Sequence, residues 1–195
     1  MSNAKAQSTT GFKLKGQCHC GLVTFEFSPA SVVDLNDPAL PESVKQTIAP
    51  PSEQKHPERG GNVNKWKSTW CHCNPCRRTV GALAVEFVSV PMNLITIKRD
   101  GIASYRSSNH ATRQFCPKCG TSLFFVEDDE KSIDVTLASI TTPNLFDYIE
   151  MIGHIWLEDA KDLVLDEAGK GGGLAGIMTD GGYRTKQGSK SEPFY

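Results

Sequence analysis

Cys116-Pro117-Lys118-Cys119-Gly120 is the stretch from which the fold is read. Two cysteines separated by two residues let backbone N–H groups turn toward both sulfurs. The glycine after the second cysteine supplies a backbone conformation that other residues rarely adopt. Such a knuckle delivers two of the four ligands that a tetrahedral metal needs, so a second pair must come from elsewhere in the chain. Immediately downstream, Leu123–Val126 reads as a strand fed by the knuckle.

The seven cysteines offer two sources for that second pair. One is Cys18-x-Cys20, and the other is two of Cys71, Cys73 and Cys76 in Cys71-His72-Cys73-Asn74-Pro75-Cys76. Taking Cys18 and Cys20 leaves Cys71, Cys73 and Cys76 as a compact set that grips a metal by itself. The other partition strands one sulfur and leaves a two-ligand remnant, so a division into four and three is preferred. An odd count at these spacings fits a disulfide framework poorly. His19 and His72 each sit inside a C-x-C. In extended segments their side chains point away from the face their neighbours use, although a tight loop would let His72 serve as a fourth ligand. His154 falls on a strand, where a buried, hydrogen-bonded role is the ordinary expectation, and His56 and His110 carry no particular signal.

A closed four-thiolate site holds a fold together, whereas a three-thiolate site keeps a coordination position open for chemistry. Three cysteinates on Zn²⁺ leave a formal charge of −1, which weakens the acidity of a bound water. Chemistry at an incoming thiol is therefore expected in preference to hydrolysis. Arg77 and Arg78 follow the third cysteine directly and are the expected clamps for a ligand's carboxylates.

Outside the cysteine motifs the pattern is that of a mainly β protein. Val23–Phe27 alternates as a half-buried strand, and Ala82–Val90 is a long strand candidate ended by Pro91. Leu94–Lys98 and Ile102–Arg106 read as strands separated by the turn-forming pair Asp100-Gly101. Ile133–Leu137 alternates again, and Gly153–Leu157 is the expected last core strand. Between about 28 and 65, Pro29, Pro38, Pro41, Pro50, Pro51 and Pro57 forbid a long element, so a surface excursion with one helical turn near Pro41–Ile48 is expected. Residues 1–11 read as a disordered lead-in, 12–165 as the zinc domain carrying the insertion, and 166–195 as a glycine-rich tail. At 195 residues and a formal net charge of −1, the chain has no global basic field to recommend nucleic acid or an anionic membrane. It has no apolar run of membrane-spanning length, and the polar stretch Met1–Lys15 lacks a secretory h-region, so a cytoplasmic location is expected.

Four blocks taken together resemble the glutathione-dependent formaldehyde-activating enzyme family, which also includes centromere protein V. They are Gly16-x-Cys18-His19-Cys20-Gly21-x-Val23, Cys71-His72-Cys73-x-x-Cys76-Arg77-Arg78-x-x-Gly81-Ala82, Phe115-Cys116-x-x-Cys119-Gly120 and His154-Ile155-Trp156. The resemblance spans about 12–160 and implies a zinc-containing β-tent of antiparallel sheets. It assigns Cys18, Cys20, Cys116 and Cys119 to a structural zinc and Cys71, Cys73 and Cys76 to a catalytic one. It implies a carbon–sulfur lyase that adds formaldehyde to glutathione to give S-(hydroxymethyl)glutathione, or joins a related thiol and electrophile. The chain departs from the family in the long gap between Cys20 and Cys71, in Ser139-Ile140-Thr141-Thr142-Pro143 where an acidic residue more often precedes the proline, and in its tail. The competing expectation is a non-catalytic zinc scaffold that binds a protein partner. The intact three-cysteine block favours the enzyme.

Overall fold

Strand alternation builds two sheets in the computed structural model, which describes residues 11–160 apart from 57, 58, 60, 99 and 130. The lead-in read over 1–11 (its last residue apart), the end of the domain at 161–165 and the tail read over 166–195 fall outside the described residues. The small sheet begins with β1 (Leu14–Gln17) and β2 (Thr24–Phe27), whose residues alternate between buried and more open positions. After a short helix α1 (Glu42–Gln46) and the two-residue β3 (Ile48–Ala49) come β4 (Lys65–Cys71), helix α2 (Asn74–Val80) and β5 (Val85–Pro91). Next are β6 (Ile95–Lys98), β7 (Ala103–Arg106), β8 (Ala111–Phe115), β9 (Ser122–Glu127), β10 (Ser132–Thr136) and β11 (Ile149–Ile155). The small sheet has the order β1-β2-β6, and the large one β11-β4-β5-β10-β9-β8-β7 with β3 beside β4.

All pairings are antiparallel except one, since β11 runs parallel to β4. Parallel neighbours need a crossover connection. Here residues 137–148, with two 3-10 turns, carry the chain from β10 in mid-sheet to the edge beyond β4. The expected mainly β fold of antiparallel sheets is thus what the structure has, with one parallel pairing at that edge.

The core lies between the sheets. Val88, Val90, Phe124, Ile133 and Val135 of the large sheet meet Leu14, Phe25 and Phe27 of the small one. Phe25 and Phe124 pack edge to face with ring centroids 5.2 Å apart. Each such side chain, once fully buried, contributes about 1.5–3 kcal/mol.

Asp100-Gly101 forms the expected turn between two strands but closes no hairpin, because β6 pairs with β2 in the small sheet while β7 pairs with β8 in the large one. The pair instead marks the passage between sheets, with Gly101 at φ 85°. The proline-rich excursion does contain the expected short helix and no long element, yet it is not merely surface. Ala30, Ile48 and Ala49 are buried, and β3 pairs with β4. The buried Lys65 ties the excursion down: its ammonium donates to the carbonyls of Arg59 (2.6 Å) and Phe146 (2.8 Å). Glu150 lies 3.9 Å from that ammonium and accepts from the Lys55 amide at 3.0 Å. A buried charge needs this kind of full pairing to be tolerated.

Gly16 sits where only hydrogen fits. A Cβ there would lie 2.0 Å from the end of the Phe25 ring, itself wedged against Phe124. Gly16→Ala is expected to destabilise the protein by about 1–3 kcal/mol, the usual cost of overpacking a filled core. Thermal unfolding checks it, and an unchanged midpoint would show that the ring has room to move.

Candidate functional site

Two groups of cysteines converge, and each can hold a metal ion. Within each group the sulfurs all lie within 4.8 Å of one another, Cys18, Cys20, Cys116 and Cys119 in one and Cys71, Cys73 and Cys76 in the other. The division into four and three is thus the one the fold makes.

The four-cysteine group is built from two turn tips. Cys18 and Cys20 lie in the turn between β1 and β2, and Cys116 and Cys119 in the turn between β8 and β9. The group therefore joins the small sheet to the large one. Gly21 (φ 76°) and Gly120 (φ 74°) adopt the left-handed backbone that each turn requires. The amide of Gly120 donates to the Cys116 carbonyl at 2.8 Å, and that of Val23 to the Cys18 sulfur at 3.3 Å. Thr121 bridges the tips: its hydroxyl accepts from the His19 amide and lies 3.2 Å from the Cys119 sulfur. That hydroxyl helps hold the Cys119 thiol down to about 5. His19 is exposed and outside the group, as the alternation argument expects.

The three-cysteine group forms where β4 ends and α2 begins. Cys71 closes β4, Cys73 caps α2 by accepting from the Cys76 amide at 3.4 Å, and Cys76 lies in the first turn. Hydrogen bonds from the thiols of Cys71 and Cys76 hold Cys73 far below the ordinary thiol range, at about 3. The reciprocal interaction with Cys73 and Cys76 drives Cys71 upward. His72 points the opposite way, buried, with its Nε2 2.9 Å from Nδ1 of His154. Burial, reinforced by His154, depresses His72 to about 4, so the ring is neutral at ordinary pH.

Both arginines of the sequence reading lie apart from the cavity that these cysteines border. Arg77 is buried and braces the cysteine loop, donating to the His72 carbonyl (2.9 Å) and the Asn74 side chain (2.5 Å). Asp159 grips the same Asn74 through its amide and side chain. Arg78 is exposed, and neither arginine lines the cavity.

That cavity, about 390 Å³, lies on the face of the large sheet opposite the core. Because side chains alternate along a strand, the residues between Val88 and Val90 and between Ile133 and Val135 must point there. The register aligns Ser89, Asp134, Phe125 and Arg113 in one row across β5, β10, β9 and β8. All four line the cavity, together with Cys71, Cys73 and Cys76. Arg113, only 6% exposed, stacks over Phe125 with its guanidinium carbon 5.0 Å from the ring centre, and its Nη2 donates to the Cys76 sulfur at 3.2 Å. Trp156 lines the cavity from a left-handed backbone position (φ 59°, ψ 43°), an unfavourable conformation for a bulky residue. His110, given no role in the sequence reading, lies at the rim with Glu127. Arg113 and Asp134 carry no local signal either, since alternation alone does not say that the second face is enclosed.

Desolvation on the cavity floor raises the Asp134 carboxyl to about 6, with Glu127 adding to the rise while the Ser89 hydroxyl and Arg113 oppose it. A carboxyl raised by folding binds more protons in the folded than in the unfolded state. Its contribution therefore falls as pH climbs from about 4, the unfolded value, toward 6. Asp134→Asn is expected to flatten stability against pH in that window. Denaturant unfolding at stepped pH checks it, and an unaltered slope would place the titration elsewhere.

The family model described as glutathione-dependent formaldehyde-activating enzyme matches residues 61–159, which include the three-cysteine group, Arg113 and the second knuckle but not Cys18 and Cys20. A Schizosaccharomyces pombe protein described as an uncharacterized lyase is 30% identical over 70 residues, 36% of this chain and 50% of that protein. The chain thus spans about half the length of that curated relative. The crystal structure of a Rhodobacter sphaeroides protein aligns over 71% of this chain and 99% of its own, at 17% identity and a TM-score of 0.42. With a family match over just more than half of its residues, the chain belongs to the glutathione-dependent formaldehyde-activating enzyme family.

Proposed function

We propose that the protein is a zinc-dependent carbon–sulfur lyase that joins the thiol of glutathione to formaldehyde, giving S-(hydroxymethyl)glutathione, and that also splits this adduct. The observation that carries the reading is the convergence of three cysteine sulfurs on the wall of a cavity with mixed polar and apolar lining, in a chain of this family. The donor sets suit zinc. A tetrahedral zinc with Zn–S bonds near 2.3 Å spaces its sulfurs about 3.8 Å apart. Cys18 and Cys20 lie 3.6 Å apart, and Cys20 and Cys116 3.7 Å.

In this reading Cys18, Cys20, Cys116 and Cys119 hold a structural zinc, and Cys71, Cys73 and Cys76 hold a catalytic one. When bound at the three cysteines, zinc supplies a positive centre that favours the thiolate form of a substrate thiol beside it. The remaining work falls to the chain. His72 turns away toward His154, which leaves the cavity side of the group for substrate. Phe87, Ile155 and Trp156 wall that side with apolar surface that limits water around the reacting atoms. Arg77 and Asp159 fix the loop carrying Cys73, so the sulfurs keep their spacing.

Elemental analysis of protein prepared with zinc is expected to find two ions per chain, falling to one after mild chelation. Cys116→Ser should cost folding, because a structural zinc is worth on the order of 10 kcal/mol in small metal-dependent folds. Cys73→Ser should keep the fold and lose only the more labile ion. Equal thermal destabilisation by both substitutions would make both sites structural and favour a partner-binding scaffold.

Formaldehyde and glutathione combine unaided, so the activity test is a rate. Exchange NMR on the equilibrated mixture should show faster interconversion with the zinc-loaded protein than without it, and no acceleration by Cys73→Ser. A fully loaded protein that leaves the rate unchanged would remove this chemistry. Glutathione binding without acceleration would point to a different electrophile.

A further inference from the structure

Arg113 holds more donors than the protein uses. A guanidinium carries five N–H groups. Among the described residues the Cys76 sulfur is the one hydrogen-bond acceptor that Arg113 has, and its buried Nε has no partner. The side chain is more than nine-tenths buried, and it is the only arginine or lysine among the described residues lining the cavity. A buried cation with unspent donors is unfavourable unless an acceptor arrives from outside the chain. Stacking on Phe125 fixes the plane of the fork, so the position is prepared rather than adaptable.

Proximity identifies the acceptor. One nitrogen of the fork already touches a sulfur of the three-cysteine group, so its neighbours reach atoms adjoining a substrate sulfur held there. In a hydroxymethyl thioether the oxygen sits on the carbon next to that sulfur. The carboxylates of glutathione lie several bonds further from the sulfur than that oxygen does.

Resting on the lyase reading, we infer that Arg113 is a catalytic residue that holds the oxygen of the one-carbon unit while its bond to the substrate sulfur forms or breaks. In the joining direction the thiol gives its proton to water and the thiolate sulfur bonds to the aldehyde carbon. The carbonyl π pair moves onto oxygen, and that oxygen then takes a proton from water. The splitting direction runs the same changes backward. The N–H donors of Arg113 meet the oxygen at its most negative, where fixed donors in a water-poor site contribute most.

The test uses full-length, zinc-loaded protein with Arg113→Lys and Arg113→Ala, measuring bound zinc, glutathione affinity by calorimetry and the saturated exchange rate by NMR. Both variants should keep zinc and hold the glutathione Kd within about threefold, while the saturated rate falls about 100-fold or more. Added guanidinium ion should restore part of the rate to Arg113→Ala and none to Arg113→Lys. A saturated rate near wild type in both variants would overturn the inference and leave the lyase reading standing. So would weakened glutathione binding at an unchanged saturated rate, which would make Arg113 a carboxylate clamp. Loss of zinc from both variants would reduce Arg113 to a brace for Cys76. A wild-type protein that binds zinc and glutathione yet accelerates nothing would overturn the lyase reading and this inference together.

Discussion

The two faces of the large sheet govern everything else in the molecule. A strand must send successive side chains to opposite sides, so a residue between two core positions has nowhere to go but the second face. Val88 and Val90 commit β5 to the core, which sends Ser89 outward, and Ile133 and Val135 do the same to Asp134. The antiparallel register then brings Ser89, Asp134, Phe125 and Arg113 into line without any loop to position them. A slip of one residue in any of these pairings would send Asp134 or Arg113 into the hydrocarbon core. Fold and cavity are therefore specified by the same register, and a polar cavity floor needs no device beyond the pleat.

The cysteine groups differ in what supports them, and the roles proposed for them follow that difference. The four-cysteine group hangs on two turn tips from different sheets, which sequence distance alone keeps apart until the sheets pack. Its cohesion and that of the core are thus coupled: the sulfurs meet only if Phe25 meets Phe124, and the reverse. The three-cysteine group arises within a single strand-to-helix turn, and a separate apolar cluster of Val85, Phe87, Ile155 and Trp156 surrounds it. The second group thus lies apart from the sheet junction, which agrees with the catalytic role proposed for it.

What was legible in the sequence follows from the range over which each signal acts. The knuckle at Cys116–Cys119, its glycine and the alternation read over Ile133–Leu137 are local features, and the last appears as β10, one residue earlier at each end. The division of seven cysteines into four and three came from ligand counting, which holds regardless of topology. Asp100-Gly101 forms the turn that was read, but a turn pair reports that the chain bends and not which sheet receives the next strand. Arg77 and Arg78 were favoured by sequence proximity to Cys76. An α-helix turns successive residues to different directions, and Arg77 instead folds back onto the loop that it braces. Arg113 is remote in sequence from Cys76 and meets it only through the joined register of β4, β5, β10, β9 and β8.

The chemistry of the three-cysteine group is decided as much by what is turned away as by what is present. His72 is the nearest nitrogen ligand in sequence, and its inclusion would complete a tetrahedral set and close the site. Strand geometry at the end of β4 prevents it: the His72 amide donates to the Ile155 carbonyl, which keeps the segment extended and aims the ring at His154. With histidine excluded, the group stays purely thiolate and rich in electron density, a poor setting for ionising water and a good one for a soft sulfur ligand. The same surplus of negative charge would repel an incoming thiolate unless a cation stood beside it. On the proposed reading Arg113 is that cation, brought across the sheet to the sulfur of Cys76 at the cavity wall. On the lyase reading proposed above, excluding a histidine and importing an arginine work in the same direction, toward carbon–sulfur chemistry and away from hydrolysis.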